Sequence, residues 1–246
     1  LSVSDSFTIS GIDAIEGRVV DAPLQGSNVF IDLDGDLVQD SDEPSGTSDA
    51  NGFFAVENLA GSASPKIISI GGTDTKTGKV LPNLALMSDL PSDASKSMAV
   101  TPITTLVAVA ETPAAKAKVL TALGVTGTVE ELLTTDNWAE AEAGDASAKE
   151  LQRKNQQVGL ILQTAESLVD SDAATKATDV TQAVAKQLVE ETSSSDSVDL
   201  TQASTISEVL TGAVSYTHLR ANETLRDIVC RLLLEKKNGG VGGGGG

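Results

Sequence analysis

The chain has 246 residues, 17 basic and 35 acidic side chains, and a formal net charge of −18. This charge repels nucleic acid and anionic lipid and favours cations as partners. No run of eighteen apolar residues occurs, so no membrane span is predicted in this sequence. Residues 1–213 contain neither histidine nor cysteine, which excludes an imidazole-based nucleophilic triad and a thiolate metal site there.

Short alternating runs separated by turn residues predict strands in the N-terminal part of the chain. The strands are expected at residues 16–22, 27–33, 53–56 and 66–70, with a fifth near 77–81. In the second of them, Val29, Ile31 and Leu33 share one face. Strands at this spacing predict a small antiparallel β-sandwich over residues 11–81, preceded by a linker at 1–10.

A twelve-residue acidic loop, Asp32–Glu43, follows the second predicted strand. Its positions 1, 3, 5, 7, 9 and 12 offer five carboxylates and one backbone carbonyl, from Asp32, Asp34, Asp36, Val38, Asp40 and Glu43. This is the oxygen spacing of the helix–loop–helix calcium loop, in which the last carboxylate binds through both oxygens. Because crowded carboxylates repel one another without a cation, we expect Ca²⁺ as the cofactor.

One position of this loop departs from the calcium-loop pattern. Position six is usually glycine, since the turn there favours positive φ, but this sequence has Leu37 and places Gly35 two residues earlier. The change is expected to weaken the affinity or alter the turn. The alternative is a solvated acidic loop that binds nothing specific. Magnesium is a poorer candidate, because its octahedral geometry suits fewer protein ligands.

Several motifs around this loop resemble one family of bacterial modules. The segment 17–36 joins a strand, a small-residue turn, a second strand and the acidic loop; Glu43-Pro44 and the segment 48–54 then follow. In this order they resemble the prealbumin-like sandwiches of surface adhesins, namely the collagen-adhesin B-type and serine-aspartate-repeat B-type modules, over about residues 11–70. The resemblance implies an extracellular spacer or ligand-binding stalk that calcium stiffens.

Helical spacing replaces the strand pattern after about Met98. Thr101-Pro102 predicts a helix start with Pro at the first position, and Pro113 begins another helix that ends before Gly124. Further helices are expected at 129–133, from Asp145 or Ser147 to about 169, at 179–191 and at 201–210, with a loop at 192–197. We therefore expect a linker at 82–98 and an all-α region at 99–213, giving an α+β protein in two parts.

Residues 214–246 resemble translated sequencing-adapter read-through. The run 214–224 matches one reading frame of a transposase-type adapter except at Asn222, and 228–236 matches the flow-cell primer except at Ile228. The glycines at 239–246, apart from Val241, suit a run of guanines. We expect this tail to be non-native. Without its five basic and three acidic residues, 12 basic and 32 acidic side chains remain, a net charge of −20.

The sequence thus predicts a non-catalytic, calcium-binding structural or adhesion module of a large secreted or cell-surface bacterial protein. Its partners are expected to be calcium and, through the parent protein, a host or matrix polymer. The alternative is a carbohydrate- or polymer-binding accessory module of a secreted enzyme, which an exposed aromatic platform would favour. Trp138 is the candidate for such a platform, although a lone Trp in a helical region is more typical of a core.

Overall fold

The computed structural model describes residues 14–57, 65–93, 95–168 and 177–214. Its strands are β1 Ala14–Val19, β2 Leu24–Gln25, β3 Asn28–Asp32, β4 Ser45–Thr47, β5 Phe53–Glu57, β6 Lys66–Ile70, β7 Thr73–Asp74, β8 Ala85–Asp89 and β9 Met98–Val100. Its helices are α1 Pro102–Val109, α2 Pro113–Ala122, α3 Val129–Thr134, α4 Asn137–Glu142, α5 Ala146–Leu168, α6 Ala177–Ser194 and α7 Ala203–Val214. Strands followed by helices confirm the predicted α+β class.

The strands form two main sheets and one short ribbon. The sheets have the orders β5-β1-β9 and β4-β3-β6-β8, and the ribbon pairs β2 with β7. Neighbouring strands run antiparallel, except that β9 lies parallel to β1, with Gly17 opposite Met98. A parallel neighbour requires a long connection, and here the connection passes through the second sheet before returning to β1.

Two sequence expectations in this part are corrected. No fifth strand forms at 77–81: that stretch contributes one isolated bridge, between Thr73 and Val80, and Val80 is 64% exposed. The segment 82–98, expected to be a linker, instead contains β8 and the first residue of β9. The reason is burial on both faces, since Ala85 to Ser88 are all buried, so β8 lacks the alternation that marks a half-exposed strand.

The larger sheet buries both of its faces. On one face Val29, Ile31 and Ile67 join the main apolar cluster, which also contains Ile15 and Val56 from the smaller sheet. On the other face Phe30, Ile68 and Met87 stand side by side, because β3, β6 and β8 pair in that register. Ala108 of α1 packs on this second row.

Helices α1, α2, α3 and α5 begin where the sequence predicts. The Thr101 hydroxyl accepts a hydrogen bond from the Thr104 backbone N–H, with Pro102 at the first helical position of α1. Thr112 caps α2 in the same way, and Asp145 accepts from the Ala148 N–H at the start of α5. Other bounds differ from the expectation. Helix α4 was not expected, and α6 is Ala177–Ser194 rather than 179–191, so it includes three residues of the predicted loop. Helix α7 is Ala203–Val214 rather than 201–210.

Helix α1 is joined to the edge strand β8 through hydroxyl groups. The Thr105 Oγ1 accepts from the Met87 N–H at 2.9 Å, and the Thr104 Oγ1 donates to the Met87 carbonyl at 2.9 Å. Thr181 of α6 donates likewise to the Ala85 carbonyl. The edge of the sheet is therefore covered by helices whose side chains satisfy its backbone groups.

The predicted linker at 1–10 and the adapter-like segment from Ser215 onward lie outside the described residues. Val214, the first residue of that tail, ends α7. Among the helices of the described ranges, none combines the length and apolar character that a bilayer crossing requires.

Candidate metal centre

The acidic loop leaves the end of β3 and brings three of its carboxylates together. One oxygen from each of Asp32, Asp34 and Asp36 lies within 4.8 Å of the other two. Asp32 is the last residue of β3 and is 2% exposed, whereas Asp34 and Asp36 are exposed. The candidate site therefore has one buried carboxylate anchored to the sheet and two at the surface.

Asp32 carries an unsatisfied oxygen. Its Oδ1 accepts a hydrogen bond from the Gly35 N–H at 2.8 Å, but its buried Oδ2 has no hydrogen-bond partner among the described residues. Burying a carboxylate oxygen without a partner costs free energy that a hydrogen bond or a cation must offset. A divalent ion among the three carboxylates would supply that partner.

Local hydrogen bonds wind the loop tightly between these carboxylates. The Asp34 Oδ1 accepts from the Asp36 N–H at 3.1 Å, and the Asp36 Oδ1 accepts from the Val38 N–H at 2.7 Å. Such turns, in which an Asp side chain accepts from the backbone two residues on, are typical of this residue. In this tightly turned segment the three Asp residues each bring one oxygen to the same group, as a cation site requires.

The backbone adopts positive φ at both of the positions that the sequence singled out. Gly35 has φ of 88°, and Leu37 has φ of 61° although it is not a glycine. Position six therefore has the positive φ that the calcium-loop pattern favours, although the residue there is Leu. The half-buried Leu37 side chain packs against the Phe30–Met87 row, which offsets part of the backbone strain.

Glu43 closes the loop. Its Oε1 accepts from the Leu33 N–H at 2.6 Å and its Oε2 from the Asp40 N–H at 3.1 Å, and the residue is 7% exposed. Both oxygens therefore bind the loop backbone in this arrangement. The structure brings together the carboxylates of Asp32, Asp34 and Asp36. Coordination of an ion by these three, by Asp40 and Glu43, and by the carbonyl of Val38 stays a prediction.

The donor set is made of hard oxygens. Carboxylates of this kind suit Ca²⁺ or Mg²⁺ and do not favour soft metals. With three carboxylates gathered, the remaining positions of a six- to eight-coordinate ion are left for water, the loop carbonyl or an external oxygen.

No family model, curated protein or solved structure matches this chain.

A row of charged side chains lies beside the loop, and no local sequence pattern predicted it. Register places Asp32 opposite Lys66 and Lys66 opposite Asp89, across β3, β6 and β8. Lys66 Nζ lies 3.5 Å from one Asp89 oxygen, and Lys116 Nζ of α2 lies 2.5 Å from the other. The row could not be predicted, because it depends on β8, a strand that the sequence pattern did not reveal.

The proposed aromatic platform is not at the surface. Trp138 is 5% exposed, and the ammonium of Lys76 stands 5.3 Å from its ring centroid. The core interpretation of Trp138 is therefore confirmed. Phe53 is 45% exposed, but the guanidinium of Arg18 lies 4.7 Å from its ring centroid.

Proposed function

We propose that this chain is a non-catalytic calcium-binding module of a large secreted or cell-surface bacterial protein, in which the ion stiffens the β-sheet part. The observation that carries the proposal is the buried Asp32 Oδ2, which lacks a partner among the described residues and belongs to a group of three carboxylates. The wider identity, a prealbumin-like adhesin module, is supported by the sequence motifs and by apolar residues that the two sheets share in one cluster.

Calcium would act here by fixing the loop to the sheet. Asp32 belongs to β3, and the Ile31 N–H donates to the Pro44 carbonyl just after the loop, so both ends of the loop are tied to one strand. An ion held between Asp32, Asp34 and Asp36 removes the mutual repulsion of their charges. It therefore stabilises the folded state, which binds calcium, over the unfolded chain, which does not gather these groups.

The direct test is thermal unfolding of the full chain in calcium and in chelator. At free calcium one hundred times the dissociation constant, the stabilisation is about 2.7 kcal/mol, which corresponds to roughly 5–10 °C in a chain of this size. Asp36→Asn is expected to lose most of this rise, because it removes one of the three gathered charges. Isothermal titration with CaCl₂ should show the same loss of affinity.

Asp42→Asn is the matched control for this experiment. Asp42 lies in the same loop and is exposed, but it does not belong to the group of three carboxylates. This variant should retain the calcium-dependent rise, so a general effect of removing negative charge is separated from the loss of a ligand. Identical melting of the unsubstituted chain in calcium and in chelator would refute the proposal.

A further inference from the structure

A cleft of about 720 Å³ opens beside the candidate calcium site. Asp32 and Leu37 form the end of the cleft at the loop, while α1, α2 and α6 contribute residues to its other walls. Three lysines line it, one from β6, one from α2 and one from α6: Lys66, Lys116 and Lys186. Its size is in the range of sites that bind small molecules.

The sheet register explains why charges lie in this cleft. Phe30, Ile68 and Met87 fill one row of the sheet face under α1, and the next row along the same strands is Asp32, Lys66 and Asp89. The apolar row is covered by α1, whereas the charged row lines the cleft. Asp32 therefore belongs both to the carboxylate group of the loop and to the wall of the cleft.

Two of the three lysines are already ion-paired, but they can still donate further hydrogen bonds. Lys66 and Lys116 share the single carboxylate of Asp89. An ammonium group carries three N–H donors, so this pairing leaves capacity for another acceptor. Lys186, which is exposed on α6, adds a third positive charge.

Without a cation, this region is net negative. The three lysines face eight carboxylates in the cleft and the adjoining loop: Asp32, Asp34, Asp36, Asp40, Asp42, Glu43, Asp89 and Glu111. A divalent ion at the loop changes the formal charge from −5 to −3 and offers coordination positions to an external oxygen. An anionic ligand is thus disfavoured in the apo protein, whereas bound calcium reduces this repulsion and supplies a cation that the ligand carboxylate can coordinate.

We infer that this cleft binds a small carboxylate-bearing ligand in a calcium-dependent manner, with the ligand carboxylate coordinated to the ion at Asp32 and paired with Lys66 and Lys116. The inference rests on the proposed function, because it needs calcium at the loop. It goes further by naming the chemical class of the ligand and the side chains that select it.

The test is isothermal titration of the full chain with D-galacturonate and, separately, with N-acetylaspartate, which represent a sugar acid and an acidic amino acid. Each titration is run in calcium, in magnesium and in chelator. At least one probe should bind in calcium, and its affinity in chelator should be lower by on the order of tenfold or more, which a change of 1.4 kcal/mol would produce. Comparison of the two probes distinguishes the source of the carboxylate.

Variants on α2 separate recognition from calcium binding. Lys116→Met should lower the affinity for the carboxylate probe on the order of tenfold, while the affinity for calcium stays the same. Lys118→Met is the matched control, since Lys118 lies on the same helix but pairs with Asp196, which does not line the cleft. Lys186→Met should also lower the affinity for the probe, and it leaves the ion pairs of Asp89 with Lys66 and Lys116 undisturbed.

The outcomes distinguish failure of this inference from failure of the proposed function. Calcium binding without binding of either carboxylate overturns the inference alone. Equal binding of a probe in calcium and in chelator, or an unchanged affinity in both Lys116→Met and Lys186→Met, also overturns it. A chain that does not bind calcium in the absence of any probe overturns the proposed function, and the inference with it.

Discussion

Asp21 lies where the turn after β1 meets helix α5. The residue is 8% exposed, its Oδ2 accepts from the Gln163 Nε2 at 2.5 Å, and its carboxylate occupies the space that a side chain at Gly159 would fill. Burial raises the pKa of Asp21 to about 7; the hydrogen bond from Gln163 and the charge of Lys79 oppose the rise, and Asp74 adds to it. The folded state therefore holds the Asp21 proton more tightly than the unfolded chain.

The sign of the resulting pH dependence follows from this raised pKa. The stability contributed by protonated Asp21 is fully present below pH 3.8, the ordinary pKa of the group. It is lost as the pH rises through the folded-state pKa of about 7. Asp21→Asn keeps a neutral group against α5 at every pH. We expect the variant to gain stability relative to the unsubstituted chain as the pH rises from 4 to 8, by up to on the order of 4 kcal/mol.

Denaturant unfolding at several pH values measures this difference. Asp42→Asn removes an exposed carboxylate of the same charge and serves as the control. Its free energy of unfolding, relative to that of the unsubstituted chain, should change little between pH 4 and 8. A constant offset between Asp21→Asn and the unsubstituted chain over this range would contradict the assignment.

Leu37 offers a second prediction at the scale of one residue. Its φ of 61° is costly for a residue with a Cβ, by about 1 kcal/mol, and costs glycine little. Leu37→Ala and Leu37→Gly both remove the side chain that packs on the Phe30–Met87 row. Leu37→Gly should therefore be the more stable of the two, by about 1 kcal/mol, although Ala normally stabilises a folded chain relative to Gly.

Denaturant unfolding of the two Leu37 variants in chelator checks this order without calcium as a variable. A more stable Leu37→Ala would mean that the loop does not hold positive φ at this position in solution. The same pair measured in calcium reports how far the residue at position six limits the affinity of the loop.

At the scale of the element, β8 pairs with β6 on one side, and on its other side helices rather than a second strand satisfy its backbone groups. The Met87 N–H donates to the Thr105 hydroxyl, and Thr105 is fully buried. Thr105→Val keeps the shape of the side chain but leaves the Met87 N–H without that acceptor. Since an unsatisfied buried donor costs about 1–3 kcal/mol, we expect a loss of this size in the free energy of unfolding.

Thr121→Val on α2 is the control for this prediction. Thr121 is exposed, and its hydroxyl donates to the Ala117 carbonyl of the same helix, so its loss should change stability by about 0.5 kcal/mol or less. If both variants unfold at the same denaturant concentration, the Thr105 hydroxyl does not stabilise the edge of the sheet.

At the scale of the whole molecule, one apolar cluster extends from the strands into the helices. It includes Ile15 of β1, Leu86 of β8, Leu106 of α1, Val158 of α5 and Leu188 of α6. Polar contacts cross the same boundary, since Arg18 of β1 pairs with Asp136, the N-cap of α4, at 3.0 Å. The strand part and the helical part of the described chain are therefore packed together, although their sequence patterns differ.

The sequence by itself determined the features that depend on neighbours along the chain. The cap at Thr101, the start of α2 at Pro113, the strands β3 and β6, and the Asp32–Asp34–Asp36 spacing all follow from residues within about four positions of one another. Only the tertiary structure decided the parallel pairing of β9 with β1, the burial of β8, and the row Asp32–Lys66–Asp89. The physical reason is that strand register and helix docking depend on contacts between residues far apart in sequence, which local propensity and periodicity do not specify.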